Sequence, residues 1–194
     1  ERFSEEFGRR IEKYVELGLR ELSLSYKTEN QLKKELPSKS KVVDFLVDDN
    51  ILIECKAIEL SPYPNVYPDN NVIYRWLKKS IVKAYSEQMM TVANSLNNKQ
   101  EKYGIIITYK ETNFGNGNDA WKTFLQEPTQ KYAKDNNLNI SYLPASNVFF
   151  IDIASWDKLM LTVKENNISL QEILCKVKLN DEKPETKKMW FFMH

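Results

Sequence analysis

Histidine is nearly absent from this sequence: His194, the last residue, is the only one. That excludes a metal site built from several imidazoles and leaves little for His-based acid–base catalysis. Cysteine occurs twice, at 55 and 175, and never as a C-x-x-C pair. Such spacing speaks against structural zinc and against a disulfide scaffold, and it fits a reducing, intracellular (cytoplasmic) setting. No apolar run approaches the length of a membrane span, and no signal-peptide pattern opens the chain. An excess of one charge is also lacking. The 28 Lys and Arg against 27 Asp and Glu leave a formal net charge of +1. This is not a broadly basic coat for nucleic acid, so an enzyme acting on a polyanion must concentrate its lysines near the site. The two glycines of residues 111–119 are not followed by GKS or GKT, so they do not form a phosphate loop. There is no internal repeat and no low-complexity segment.

The 194 residues, 42 % hydrophobic and 28 % charged, suffice for one sizeable core. The most informative stretch is 41–58, KVVDFLVDDNILIECKAI. Two β-rich runs flank the polar turn Asp48-Asp49-Asn50, where Asn tolerates the left-handed conformation. With Val47 opposite Ile51, the apolar face carries Val43, Phe45, Val47, Ile51, Ile53 and Cys55. The other face carries Val42, Asp44, Leu46, Leu52, Glu54 and Lys56. An even-length loop would turn one set to the wrong side. In this register Asp44 lies opposite Glu54, and cross-strand neighbours sit about 5 Å apart. Carboxylates that close repel, so a positive group belongs between them. A hard divalent cation suits their oxygens, with Lys56 beside it on a water or a phosphate oxygen. Cys55, on the apolar face, reads as a buried thiol.

Asp44 followed by Glu54-Cys55-Lys56 resembles the active-site motif of the PD-(D/E)xK nuclease superfamily, the restriction-endonuclease-like fold. Val43 stands where the Pro of that name would be. The segment GRRIEKYV, residues 8–15, is similar to the first helix of such proteins, and the resemblance puts Glu12 at the metal site. AYSEQM, residues 84–89, resembles the helix after the ExK strand and puts Gln88 near the metal, although Val92 replaces the Tyr that often follows four residues later. The resemblance implies Mg²⁺ or Mn²⁺ on Asp44, Glu54 and the backbone carbonyl of Cys55, and DNA as substrate, with RNA open. It also implies a setting in genome defence, restriction or repair. Lys39, Lys41, Arg75, Lys79 and Lys83 are then the expected phosphate contacts, giving salt-sensitive binding. For Lys79 a solvated helix face weighs slightly more.

Elsewhere the periodicity predicts a helix over 3–22, with Ser4 as N-cap and Phe7, Ile11, Tyr14, Val15, Gly18 and Leu22 inward. Gly8 and Gly18 would allow close packing on the sheet. A short edge strand is expected near 23–29, and Lys33, Lys34, Lys39 and Lys41 cluster before the hairpin. Residues 59–71 are an irregular loop bordering the site, whose Tyr63 and Tyr67 stack on a base or pack the loop down. A long helix over 72–98 buries Ile81, Ala84, Tyr85, Met89 and Val92. Buried strands are expected at 103–110 and 147–153. Helices are expected over 119–136, kinked or split at Pro128, over 156–166 with Ser155 as cap, and over 169–178. The fold class is α/β: a mixed central β-sheet flanked by helices, one domain over 1–180. The tail 181–194, charged and then apolar in MWFFMH, would pack on its own domain, on a second copy or on a missing domain. The chain, which does not open with Met, reads as a domain of something larger, with an ATPase or helicase partner supplying specificity. Alternatives to a deoxyribonuclease are a catalytically silent module for nucleic-acid binding or assembly, and a hydrolase of small phosphate esters.

Overall fold

A computed structural model describes residues 2–37, 40–58, 78–96, 98–111 and 114–187. Five strands form one sheet in the order β1 to β5: Tyr26–Thr28, Phe45–Val47, Ile51–Lys56, Tyr103–Thr108 and Val148–Asp152. β1, β2 and β3 pair antiparallel; β3, β4 and β5 pair parallel. The mixed sheet is therefore as expected. Helices α1 (Arg2–Glu21), α5 (Ile153–Asn166) and α6 (Leu170–Asp181) cover one face. Covering the other are α2 (Glu29–Glu35), α3 (π-helical over Lys78–Met89, α-helical over Met90–Ser95) and α4 (Gly117–Ala120, a π-helical turn Trp121–Leu125, then Gln126–Asp135). Among the described residues no helix is long and apolar enough to cross a membrane.

The hairpin register is Phe45↔Ile53, Leu46↔Leu52 and Val47↔Ile51. Period-two alternation then sends Phe45, Val47, Ile51, Ile53 and Cys55 to the α1 side, and Leu46 and Leu52 to the α3 side. The strand begins only at Phe45, so Val43 escapes the alternation and packs with Val42 in the α3-side core. The turn also differs from expectation. Asp48 and Asp49 carry positive φ (49° and 57°), while Asn50 is buried. Its amide nitrogen donates to the Glu101 carbonyl and to Gln171 Oε1.

α1 opens two residues ahead of Ser4, which therefore lies in its first turn rather than capping it. Its buried stripe is Ile11, Val15 and Leu19. Tyr14 is 44 % exposed and donates its hydroxyl to Asp157. Gly18 packs on α5, not on the sheet: a Cβ there would lie 3.0 Å from Trp156 Nε1 and 3.2 Å from Met160 Cγ. At Gly8 the nearest atom, Ala57 Cβ, is 3.9 Å away. Gly8→Ala should raise stability by about 0.5–1 kcal/mol, and Gly18→Ala should lower it by about 1 kcal/mol despite the same gain in helix propensity. Urea unfolding of the two variants side by side checks the opposite signs.

α2 lies where the sequence reading placed no helix; Thr28 and Gln31 form its capping box. α3 buries Ile81, Ala84, Tyr85, Met89 and Val92 as expected. α4 starts at Gly117, capped by Asn116, two residues before the expected Asp119. It runs through Pro128, with the π-helical turn just ahead of the missing N–H. A buried Ser86–Thr129 hydroxyl pair at 2.6 Å ties α3 to α4. Ser155 does not cap α5; its own N–H is held at 2.8 Å by the Asp152 carboxylate, which is the cap. α6 extends to Asp181, and beyond it Lys187 reaches Asp119 at 2.9 Å. The loop tyrosines Tyr63 and Tyr67, the early part of the 72–98 helix, and the apolar tail MWFFMH fall outside the described residues.

Candidate active site

The β2 entry, the end of β3 and α3 meet on the α3 side of the sheet. Glu54 is third from the end of β3 and alternates with Ile53 and Cys55, so its carboxylate points into the α3-side core, where it is 2 % exposed. Burying a charge there requires partners. Glu54 Oε1 accepts from Lys56 Nζ at 2.5 Å and from Gln88 Nε2 at 2.7 Å, and Oε2 accepts the Asp44 N–H at 3.2 Å. Asp44 Oδ2 accepts the Cys55 N–H at 2.7 Å. Asp44 Oδ1 has no hydrogen bond among the described residues. Lys56 Nζ also donates to Gln88 Oε1 at 3.3 Å, and Gln88 Nε2 reaches the Val42 carbonyl at 3.0 Å. The hairpin register thus brings the two carboxylates together, and α3 lowers Gln88 onto them.

The electrostatics follow from burial. Desolvation first, and then the Glu54 charge, push the Asp44 carboxyl up to about 8; the Cys55 N–H pulls the other way. Glu54 is raised by desolvation against the pull of Lys56 and Gln88. Glu12, half-buried on α1, is raised by desolvation and by Glu29, and lowered by Lys56 and Arg9. The Glu12 charge also raises Asp44, as a lesser contribution than burial and Glu54. The Lys56 ammonium pulls all three of these carboxyls down against burial. The Cys55 thiol is raised by burial and by the same acids, as suits an inert buried thiol.

Asp44 and Glu54 offer hard oxygens, they repel each other, and one Asp44 oxygen has no hydrogen bond among the described residues. This donor set fits a divalent cation. The N–H and C=O of one strand residue point the same way. Since the Cys55 N–H lies on the Asp44 carboxylate, its carbonyl looks to that edge as well, away from β4. No three His, Cys, Asp or Glu side chains converge as a ready-made metal cluster among the described residues.

The expected phosphate contacts divide. Lys41 pairs with Glu87 and lies 5.3 Å from the centroid of the Tyr132 ring, so its charge is already engaged. Lys33, of the same cluster, pairs with Glu29 at 2.6 Å. Lys83 is exposed on α3. Lys39, Arg75 and the Lys79 side chain lie outside the described residues. Sequence reasoning missed Glu29 and Glu87. Glu29 donates its N–H to the Asp44 carbonyl at 2.9 Å and opens α2. The Thr28-x-x-Gln31 pattern was the signal that marks this helix start. For Glu87 no local signal exists, because its partner is far away in the chain. No family model, curated protein or solved structure matches this chain.

Proposed function

We propose that the chain is a divalent-metal-dependent nuclease hydrolysing DNA phosphodiester bonds, with Asp44, Glu54 and Lys56 as its working set. The observation that carries this reading is the buried Asp44–Glu54 pair with the Lys56 ammonium 2.5 Å from Glu54. Asp44, Glu54 and the Cys55 carbonyl would hold Mg²⁺ or Mn²⁺. The ion supplies Lewis-acid activation of water and neutralises charge developing at phosphorus. Gln88 and Lys56 fix the rotamer of Glu54, so its second oxygen stays beside Asp44. Among the described residues Lys56 donates to Glu54 and Gln88, and its third N–H would serve the attacking water or a phosphate oxygen. Glu12, its carboxyl raised by burial, takes up a proton at the margin of the site. Exposed Lys83 would lie along a flanking phosphate, with Arg75, Lys79, Lys39 and Lys41 the further cations of that path once Lys41 leaves Glu87. An intracellular location, a role in defence, restriction or repair, and a homodimer or an ATPase partner belong to the same proposal. The second reading, a silent module for nucleic-acid binding or assembly, draws on Glu54 being already occupied by Lys56 and Gln88.

The test is cleavage of labelled duplex, single-stranded and branched DNA with Mg²⁺ or Mn²⁺, together with calorimetric Mn²⁺ titration. Glu54→Ala and Lys56→Ala are each expected to lower cleavage by about 10²-fold or more. Only Glu54→Ala should abolish Mn²⁺ binding. Absence of cleavage together with Mn²⁺ binding that ignores Glu54→Ala would sink the nuclease reading and leave the silent module.

A further inference from the structure

A second polar cavity of about 570 Å³ opens at the other end of the sheet, where β4 begins. Lys102, Asn98, Tyr142, Lys99 and Glu101 are among its walls. Its volume is in the range that accommodates small organic ligands. Lys102 is 4 % exposed. Its ammonium meets no carboxylate among the described residues. Among the described residues it donates to the backbone carbonyls of Asn98 at 3.2 Å and Gln100 at 3.4 Å, and lies 5.5 Å from the centroid of the Tyr142 ring. A buried cation held by neutral groups is costly, and one of its three donors has no hydrogen-bond acceptor among the described residues. Burial accordingly pulls its pKa down. In the same lining, the Asn98 side-chain oxygen is buried without a hydrogen-bond partner among the described residues, while its amide nitrogen is committed to the Asp49 carbonyl at 2.7 Å. Glu101 does not supply the missing negative charge. Its oxygens are taken by Lys178 at 2.5 Å, Tyr103 at 2.7 Å and Asn147 at 3.1 Å.

We propose that this cavity binds a small organic phosphate, whose anionic oxygen takes the free Lys102 donor, whose P–OH donates to Asn98 Oδ1, and whose body lies along the Tyr142 ring. The unmet pair is one donor cation and one acceptor. A carboxylate answers only the first, whereas a monoprotonated phosphate ester answers both. Tyr142 is 49 % exposed and gives the ester's apolar part a surface. The site is separate from Asp44 and Glu54 and does not depend on the nuclease reading.

Calorimetric titration of the whole chain with phenyl phosphate and with inorganic phosphate tests the proposal. Phenyl phosphate should saturate one site and bind more tightly than inorganic phosphate. Lys102→Met should weaken it at least tenfold without lowering the melting temperature, since a buried charge is removed. Tyr142→Ala, at an exposed position, should erase the preference for the phenyl ester, and Asp44→Asn should leave the affinity for phenyl phosphate as it is. The proposal fails if neither probe saturates, or if Lys102→Met binds phenyl phosphate as tightly as the wild type does. It fails also if a short oligonucleotide displaces phenyl phosphate at lower concentration than inorganic phosphate does, which would mark a nucleic-acid surface instead.

Discussion

Replacing Asp44 by asparagine is expected to stabilise the metal-free protein by about 2 kcal/mol at neutral pH while removing Mn²⁺ binding. The sign comes from the raised carboxyl, pushed from 3.8 to about 8 in the folded chain by desolvation and by Glu54. Between those values the native state holds a proton that the unfolded chain has released. Stability contributed by this group is therefore full below about pH 4 and is lost as pH rises toward 8. Asparagine has no such proton to hold, and its side-chain oxygen still accepts the Cys55 N–H. A shift of this size converts at 1.36 kcal/mol per unit to a larger figure, but relaxation and water entry around a group at the sheet's end reduce it. The gain should shrink toward zero near pH 4 and be largest near pH 8. Urea unfolding of both proteins at those two pH values decides the matter, and an equal difference at both would mean that Asp44 is not strained. The same proton must leave when a cation binds. Mn²⁺ affinity of the wild type should therefore rise about tenfold per pH unit below 8 and then level off.

Gly117→Ala should cost at least about 3 kcal/mol, the upper end of overpacking effects. A Cβ at 117 would stand 1.9 Å from the Ala145 carbonyl oxygen and 2.6 Å from that of Val148. Both atoms are backbone, so no rotamer change relieves the overlap. The α4 entry must lift away from the 3₁₀ turn Ala145–Asn147 and from the start of β5. α4 is tied to α3 through Ser86 and Thr129, so that displacement also reaches the helix that carries Gln88. A thermal melt against Gly8→Ala, made on the same helix-forming logic with open space at the position, separates collision from propensity. Comparable melting temperatures for the two variants would disprove the close approach.

Much of the site was legible in one stretch. An odd-length turn between two alternating runs dictates that Asp44 and Glu54 share a face, and the observed register keeps it so. The buried strands β4 and β5 announced themselves as apolar runs with β-branched and aromatic side chains, and the inward stripe of α3 was readable from its spacing. Errors fell at element ends. Ser4, Ser155 and Asp119 all looked like helix starts, yet α1 is already helical at Arg2 and the other two helices are capped three residues earlier, at Asp152 and Asn116, because several short polar residues compete for each boundary and packing chooses among them. Val43 was misplaced for a similar reason: alternation holds only where the ladder exists, and β2 begins after it.

Local backbone geometry is the physical reason for what the sequence by itself determined: a pleated strand repeats every two residues and a helix every 3.6. The sheet strands, the hairpin face with its two acids and one lysine, and the core stripe of α3 follow from that, and of the α1 stripe Ile11 and Val15 do, whereas Tyr14 is exposed and Leu19 buried in its place. Contacts between segments remote in sequence answer to the packing of whole elements, and only the tertiary structure decided them. It brought Gln88 to 2.7 Å from Glu54, joined Lys41 to Glu87, raised Glu12 through burial and then Glu29, and buried Lys102 away from every carboxylate among the described residues.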